Sequence, residues 1–205
     1  MPARPYHHGD LRAALLLAAD AELIESGIDG FTLRGCARRA GVSHSAPATF
    51  FRDVSAFLSE LAAISFEELT LGMQAAAAET AHPVDRMIAV GRAYALFALR
   101  KPAHFRLMWR NERLDKTSER LRAASAAAFA VPVDCIALLY GNTAPMADPM
   151  LAGRVVALWS MIHGVTELLI SGQLDAGGYG SPEATLEAVL PPMISEHFSK
   201  SGTRK

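Results

Sequence analysis

The sequence predicts an all-α fold, and three observations carry that expectation. Apolar residues recur at spacings of three and four along almost every long segment. No run alternates apolar and polar residues between hairpin turns. The Ala-rich stretches, Ala75 to Ala78 and Ala123 to Ala128, are made of the strongest helix former. With 205 residues, 51% hydrophobic and 20% charged, the chain has ample material for a buried core and is too apolar for a disordered one.

Nine helices follow in order. The first, Asp10 to Ser26, sets Leu11, Leu15, Ala19 and Leu23 on one stripe, and Gly27 ends it. Thr32 caps a short second helix that stops at Gly41, and Ser43 caps a third over His44 to Phe51. Helices joined so tightly must cross steeply. Asp53 caps a long fourth helix reaching to about Glu79. His82-Pro83 breaks the chain before a fifth from Val84 to Lys101, and Pro102 opens a short sixth. A seventh runs from Lys116 to Phe129 and resumes after Pro132, and Gly141 to Ala147 is loop. Asp148 and Pro149 start the eighth, which carries Leu151, Val155, Leu158, Trp159, Ile162, Val165 and Leu169 before Gly172. After a Gly-rich loop, Asp175 to Gly180, Ser181-Pro182-Glu183 opens the ninth. Pro191-Pro192 interrupts its apolar pattern of Leu186, Val189, Leu190, Met193, Ile194 and Phe198, which predicts a kink or break near Leu190.

Charge and cysteine usage narrow the function classes. Lys and Arg total 20 against 21 acids, so any polyanion must be met by a local patch. Cys36 and Cys135 stand in no metal-ligand spacing, so neither a disulfide framework nor a zinc cluster is expected and a reducing cytoplasm fits. Met1 to Asp10 holds no apolar signal core and no later stretch runs 18 apolar residues free of charge, so no membrane is expected. There is no GxSxG and no papain-like Cys context, and Gly177-Gly178-Tyr179-Gly180 lacks the Lys and Ser/Thr of a phosphate loop, so neither an enzyme nor a cofactor is expected. His163 and Glu167 have a spacing that suits two metal ligands, but no third is visible and no metal is expected. From Arg100 to Arg122 eight basic residues face Glu112, Asp115 and Glu119, which reads as a solvated, partly self-paired face.

The most informative stretch is Gly30 to Asp53. Ala37 and Gly41 permit close helix contact and a left-handed turn, as a helix-turn-helix joint requires. Arg34, Arg38, Arg39 and Arg52 occur there with no acid between Gly30 and Arg52, a phosphate footprint in a nearly neutral protein.

His7-His8-Gly9-Asp10-Leu11-Arg12, the Gly27 and Gly30 pair, Thr32-Leu33-Arg34, Ala37-Arg38-Arg39-Ala40-Gly41-Val42-Ser43, Ala46 and Phe51 resemble the N-terminal domain of the tetracycline-repressor (TetR) family of transcriptional regulators. Phe97 to Trp109 and the Trp159, His163, Gly164 pattern resemble its C-terminal sensor domain of the Trp-His-Gly (WHG) type. The resemblance implies an N-terminal three-helix helix-turn-helix DNA-binding domain, residues 1–54, and a C-terminal helical ligand-binding and dimerisation domain, residues 55–205. It implies a dimer built through the last two helices and a palindromic double-stranded DNA operator. The DNA-binding candidates are Thr32, Arg34, Arg38, Arg39, Ser43, His44, Ser45, Pro47, Ala48, Thr49 and Phe50.

Some positions depart from the family. Ala48 and Phe50 stand where it usually has Tyr and His, and Val54 where a Lys is common. Gly35 weakens a short helix by roughly 1 kcal/mol relative to Ala. Fewer phosphate anchors imply weaker binding. In the C-terminal part Phe97, Phe105, Met108, Trp109, Trp159 and His163 are candidates to line a site for a small apolar effector, against the alternative of ordinary core. Two rivals remain: a helical small-molecule-binding protein or enzyme with a decayed helix-turn-helix, and a helical adaptor for a protein partner.

Overall fold

The computed structural model describes residues 8–174, 178 and 180–199. His7 of the N-terminal motif, and residues 175–177 and 179 of the Gly-rich loop, lie outside the described residues. Among those described there are eight α-helices and no strand: α1 His8–Gly30, α2 Leu33–Arg39, α3 Val54–Ala78, α4 Pro83–Arg100, α5 Pro102–Met108, α6 Glu119–Tyr140, α7 Pro149–Ile170 and α8 Pro182–Ser199.

Gly27, at φ 68°, kinks α1 where the sequence predicts an end, and a final turn continues to Gly30. The stripe Leu15, Ala19 and Leu23 is fully buried. Thr32 Oγ1 accepts from Gly35 N at 2.9 Å and caps α2. At the other end Gly41 takes φ 67°, with Gly41 N donating to Arg38 O and Val42 N to Ala37 O. This paired closure uses the left-handed conformation that favours glycine.

The third helix expected over His44 to Phe51 is not formed. The segment holds a single 3₁₀ turn, Ala46–Thr49. Ser45 supplies no side-chain cap, and Pro47 has no N–H for Ser43 O and disfavours a helical Ala46. With one proline-started turn the segment does not overcome the cost of helix nucleation. Phe51 then stacks on Phe57 of α3, ring centroids 3.8 Å apart, while Phe31 meets Phe57 edge-on at 5.8 Å. Asp53 Oδ1 accepts from Ala56 N at 2.8 Å, as expected for the cap of α3.

Two proline expectations are corrected. α6 runs unbroken through Pro132, and α8 runs unbroken through Pro191 and Pro192, with no separate turn after Leu190. In each case a continuous buried stripe crosses the prolines: Leu121, Ala124, Ala128, Val131, Cys135 and Ile136 on α6, and Leu186, Leu190, Ile194 and Phe198 on α8. Burial of those side chains outweighs the lost backbone bonds. Asp148 Oδ1 accepts from Met150 N at 2.8 Å and Leu151 N at 3.3 Å, capping α7. α4 packs against α7 and α8, with Ile162 and Leu190 both lying against Gly91.

The chain forms two compact units. One takes residues up to Ser65 together with Ala103–Ala123; the other takes Phe66–Pro102 and the residues from Ala124 onward. The first therefore holds α5 as well as the N-terminal helices, where the sequence predicts a division after residue 54. By length and composition alone, α6 and α7 are each apolar enough to cross a membrane.

Candidate functional site

Most of the N-terminal candidates lie on one short run of surface. Thr32, Arg34, Arg38, Ser43, His44, Ser45, Ala48 and Thr49 are exposed, Phe50 is half-buried and Pro47 is buried. The hydroxyls of Ser43 and Ser45 are 3.2 Å apart. The four arginines are not equivalent. Arg39 Nε donates to Glu22 Oε2 at 2.6 Å and its Nη2 to Glu25, and these hydrogen bonds hold the guanidinium above its ordinary pKa. Arg52 Nε donates to Asp53 Oδ2 at 2.9 Å and its Nη2 to Asp115 Oδ2 at 3.1 Å. Among the described residues no carboxylate pairs with Arg34 or Arg38, whereas Arg39 and Arg52 are exposed but ion-paired.

Glu22 was not among the candidates from sequence, yet it organises this surface. Its side chain is 4% exposed, and it lies against Gly35 and Cys36 of α2. The Cys36 thiol is pushed up to about 12, by burial first and by the Glu22 charge second, so it stays protonated. The available signal was that Glu22, unlike nearby Asp20, falls at helical spacing on the apolar arc of α1 that holds Leu15, Ala19 and Leu23.

The basic run after Arg100 is largely matched by neighbouring acids. Lys101 Nζ donates to Glu68 Oε2 at 2.5 Å, Arg110 to Glu112 at 2.6 Å and to Asp29 at 3.3 Å. Arg113 reaches Asp29 and the Ile28 carbonyl, each at 3.2 Å, while Arg120 shares Glu60 with Arg12. Buried His104 meets Asp20 Oδ1 through Nε2 at 2.6 Å, and Asp115 N donates to Ser59 Oγ at 2.7 Å. Hydrogen bonding to Thr117 holds the Asp115 carboxyl below its ordinary value. The contacts to Asp20, Ile28, Asp29, Ser59 and Glu60 build segment 103–123 into the N-terminal unit.

The six effector-site candidates are divided between the units. Phe105, Met108 and Trp109 belong to the N-terminal unit, where Phe105 and Met108 are core and Trp109 meets Phe105 edge-on at 6.2 Å. Phe97, Trp159 and His163 belong to the other, and Phe97 is core. Half-buried Trp159 packs edge-on against Phe129 at 5.8 Å and at a tilt of 48° against His163 at 6.0 Å. The Tyr94 hydroxyl lies 2.7 Å from His163 Nδ1, and Glu167 Oε1 4.0 Å from Nε2. The carboxylate favours a proton on Nε2, so Nδ1 accepts from Tyr94. Burial pulls the His163 pKa below 6.5 despite Glu167, keeping the ring neutral at neutral pH. Among the described residues no third His, Cys, Asp or Glu joins this pair to make a metal set. Tyr94 and Phe129, on α4 and α6, complete a cluster that the sequence reading named only in part.

The family model for the tetracyclin repressor-like C-terminal domain matches residues 87–191, just over half of the chain. The chain belongs to the TetR family of transcriptional regulators. The matched model covers this C-terminal domain without the Trp-His-Gly designation expected from Trp159, His163 and Gly164. A protein of unknown function from Rhodococcus sp. RHA1 is 32% identical to this TetR-family chain, with a TM-score of 0.77 over 96% of this chain and 99% of that one. The TetR family transcriptional regulator PfmR from Thermus thermophilus is 18% identical, with a TM-score of 0.64 over 93% and 99% of the two chains, and shares the fold. No curated protein matches the sequence.

Proposed function

We propose that this TetR-family protein is a ligand-responsive repressor that binds a palindromic operator as a dimer. The observation that carries the reading is the segment from Thr32 to Thr49, which contains no acid and on which Arg34, Arg38, Ser43, His44, Ser45 and Thr49 are all exposed. The arginines meet phosphates and set the register; His44 and Thr49 are placed to contact base edges. A small, largely apolar effector binds beside Trp159, His163, Tyr94 and Phe129, and regulates by preferring one of two spacings of the DNA-binding heads. The dimer forms through α7 and α8. Met150, Val156 and Leu168 are exposed on α7, and Gly153 and Gly164 leave open space for a neighbouring helix. The protein is cytoplasmic, with α6 and α7 as core helices.

Selection of duplexes from a random pool by the purified protein, repeated over a range of salt concentrations, tests this reading. Inverted half-sites are expected, since a two-fold dimer presents two identical heads. A pool that shows no enrichment at low salt removes the reading. The replacement of a third helix by one 3₁₀ turn favours a second reading, a helical small-molecule-binding protein or enzyme with a decayed helix-turn-helix. That protein binds its ligand but returns an unenriched pool.

A further inference from the structure

The arginine set contains one member, Arg39, that is solvent-exposed yet tied by its guanidinium to a neighbouring helix. Arg39 reaches across from α2 to α1, with Nε on Glu22 at 2.6 Å and Nη2 on Glu25. Glu22 is buried, and its carboxylate occupies the space left by the missing side chain at position 35: a Cβ on Gly35 would lie 1.8 Å from Glu22 Oε1 and 2.4 Å from its Cδ. The glycine that weakens α2 as a helix is thus the socket for a carboxylate. A buried carboxylate stripped of its partner is strongly unfavourable, so Glu22 and Arg39 hold each other in place. A guanidinium already matched by two carboxylates adds little net positive charge with which to release the counterions condensed on DNA.

We propose that Arg39 is a positioning residue and not a phosphate contact: with Glu22, Glu25 and the Gly35 socket it clamps α2 onto α1 and fixes the presentation of Arg34 and Arg38 to DNA. The inference rests on the DNA-binding reading above. It predicts that two adjacent arginines, Arg38 and Arg39, respond differently to the same substitution.

The test measures binding of the full-length protein to a labelled random-sequence duplex by fluorescence anisotropy across a salt series. Arg38→Ala should flatten the slope of log K against log salt by about 0.9, the loss of one phosphate contact. Arg39→Ala should weaken binding about fivefold or more with the slope unchanged. Glu22→Gln should act in the same direction, and the double variant should bind no more weakly than the worse single one, because both remove one clamp. Arg39→Lys keeps the charge a phosphate needs but loses the fork that spans two carboxylates. It should weaken binding too, and it decides the matter if Arg39→Ala does not fold. A flattened slope for Arg39→Ala, additive effects of Glu22→Gln and Arg39→Ala, or wild-type affinity for Arg39→Lys each overturn the clamp. If the wild-type protein binds no duplex at low salt, the DNA-binding reading fails by itself, and urea unfolding of the same variants decides the clamp. Non-additive stabilities of Glu22→Gln and Arg39→Ala uphold it and additive ones overturn it.

Discussion

His163 illustrates at the residue scale how neighbours settle a protonation state. Burial disfavours its imidazolium, the Glu167 carboxylate favours it, and burial prevails, leaving the folded pKa below 6.5. Between the folded and unfolded values the unfolded chain takes up a proton that the folded chain refuses. Stability is therefore lost as pH falls through 6.5 and levels off below the folded value. Thermal melts between about pH 7.5 and 5.5 should show a steeper fall for wild type than for His163→Gln. Parallel falls would mean that His163 takes its proton as readily folded as unfolded. Glu22 belongs to the same scale and was harder to read. An acid within an apolar arc is visible in the sequence, but its partner Arg39 lies 17 residues away on another helix, and the space for it is made by Gly35.

At the scale of the element, local chemistry and burial compete, and the outcome depends on how much side chain is buried. Pro47 starts a short polar segment with little to bury and leaves it as a 3₁₀ turn. Pro191 and Pro192 sit in a helix whose Leu186, Leu190, Ile194 and Phe198 are almost wholly buried, and the helix continues. Pro191→Ala restores a donor for the Glu187 carbonyl. An interior proline costs about 3 kcal/mol relative to Ala, part of which α8 has already absorbed, so a gain of about 1–2 kcal/mol in urea unfolding is expected. A loss of stability on this substitution would show that the prolines shape α8 and do not strain it. Leu190→Ala should cost about 2–5 kcal/mol by the same measurement, because it opens a cavity where α4 and α8 meet.

For the whole molecule, the testable matter is which residues of α7 are spoken for inside one chain. Ile162 is 4% exposed and lies against Gly91, so it is core and is not a surface for a mate. Val156 is 48% exposed. Val156→Glu should lower the sedimenting mass from dimer to monomer while leaving the helical signal intact, whereas Ile162→Glu should unfold the chain. A Val156→Glu protein that sediments as wild type would place the mate elsewhere. Trp109 and Trp159 fall in different compact units, which gives a separate reporter for each. An effector that binds beside Trp159 should change the fluorescence of Trp109→Phe and leave that of Trp159→Phe unchanged.

Sequence alone determined the helical class, the caps Thr32, Asp53 and Asp148, the closure at Gly41 and the acid-free segment around it, because these depend on neighbours within a turn or two along the chain. Tertiary structure decided which prolines break a helix, which arginines are ion-paired within the chain, and that residues 103–123 pack with the N-terminal helices. The physical reason is common to all three. Each outcome is set by burial or by an ion pair between segments far apart in the chain, and no local pattern records the partner a side chain will meet.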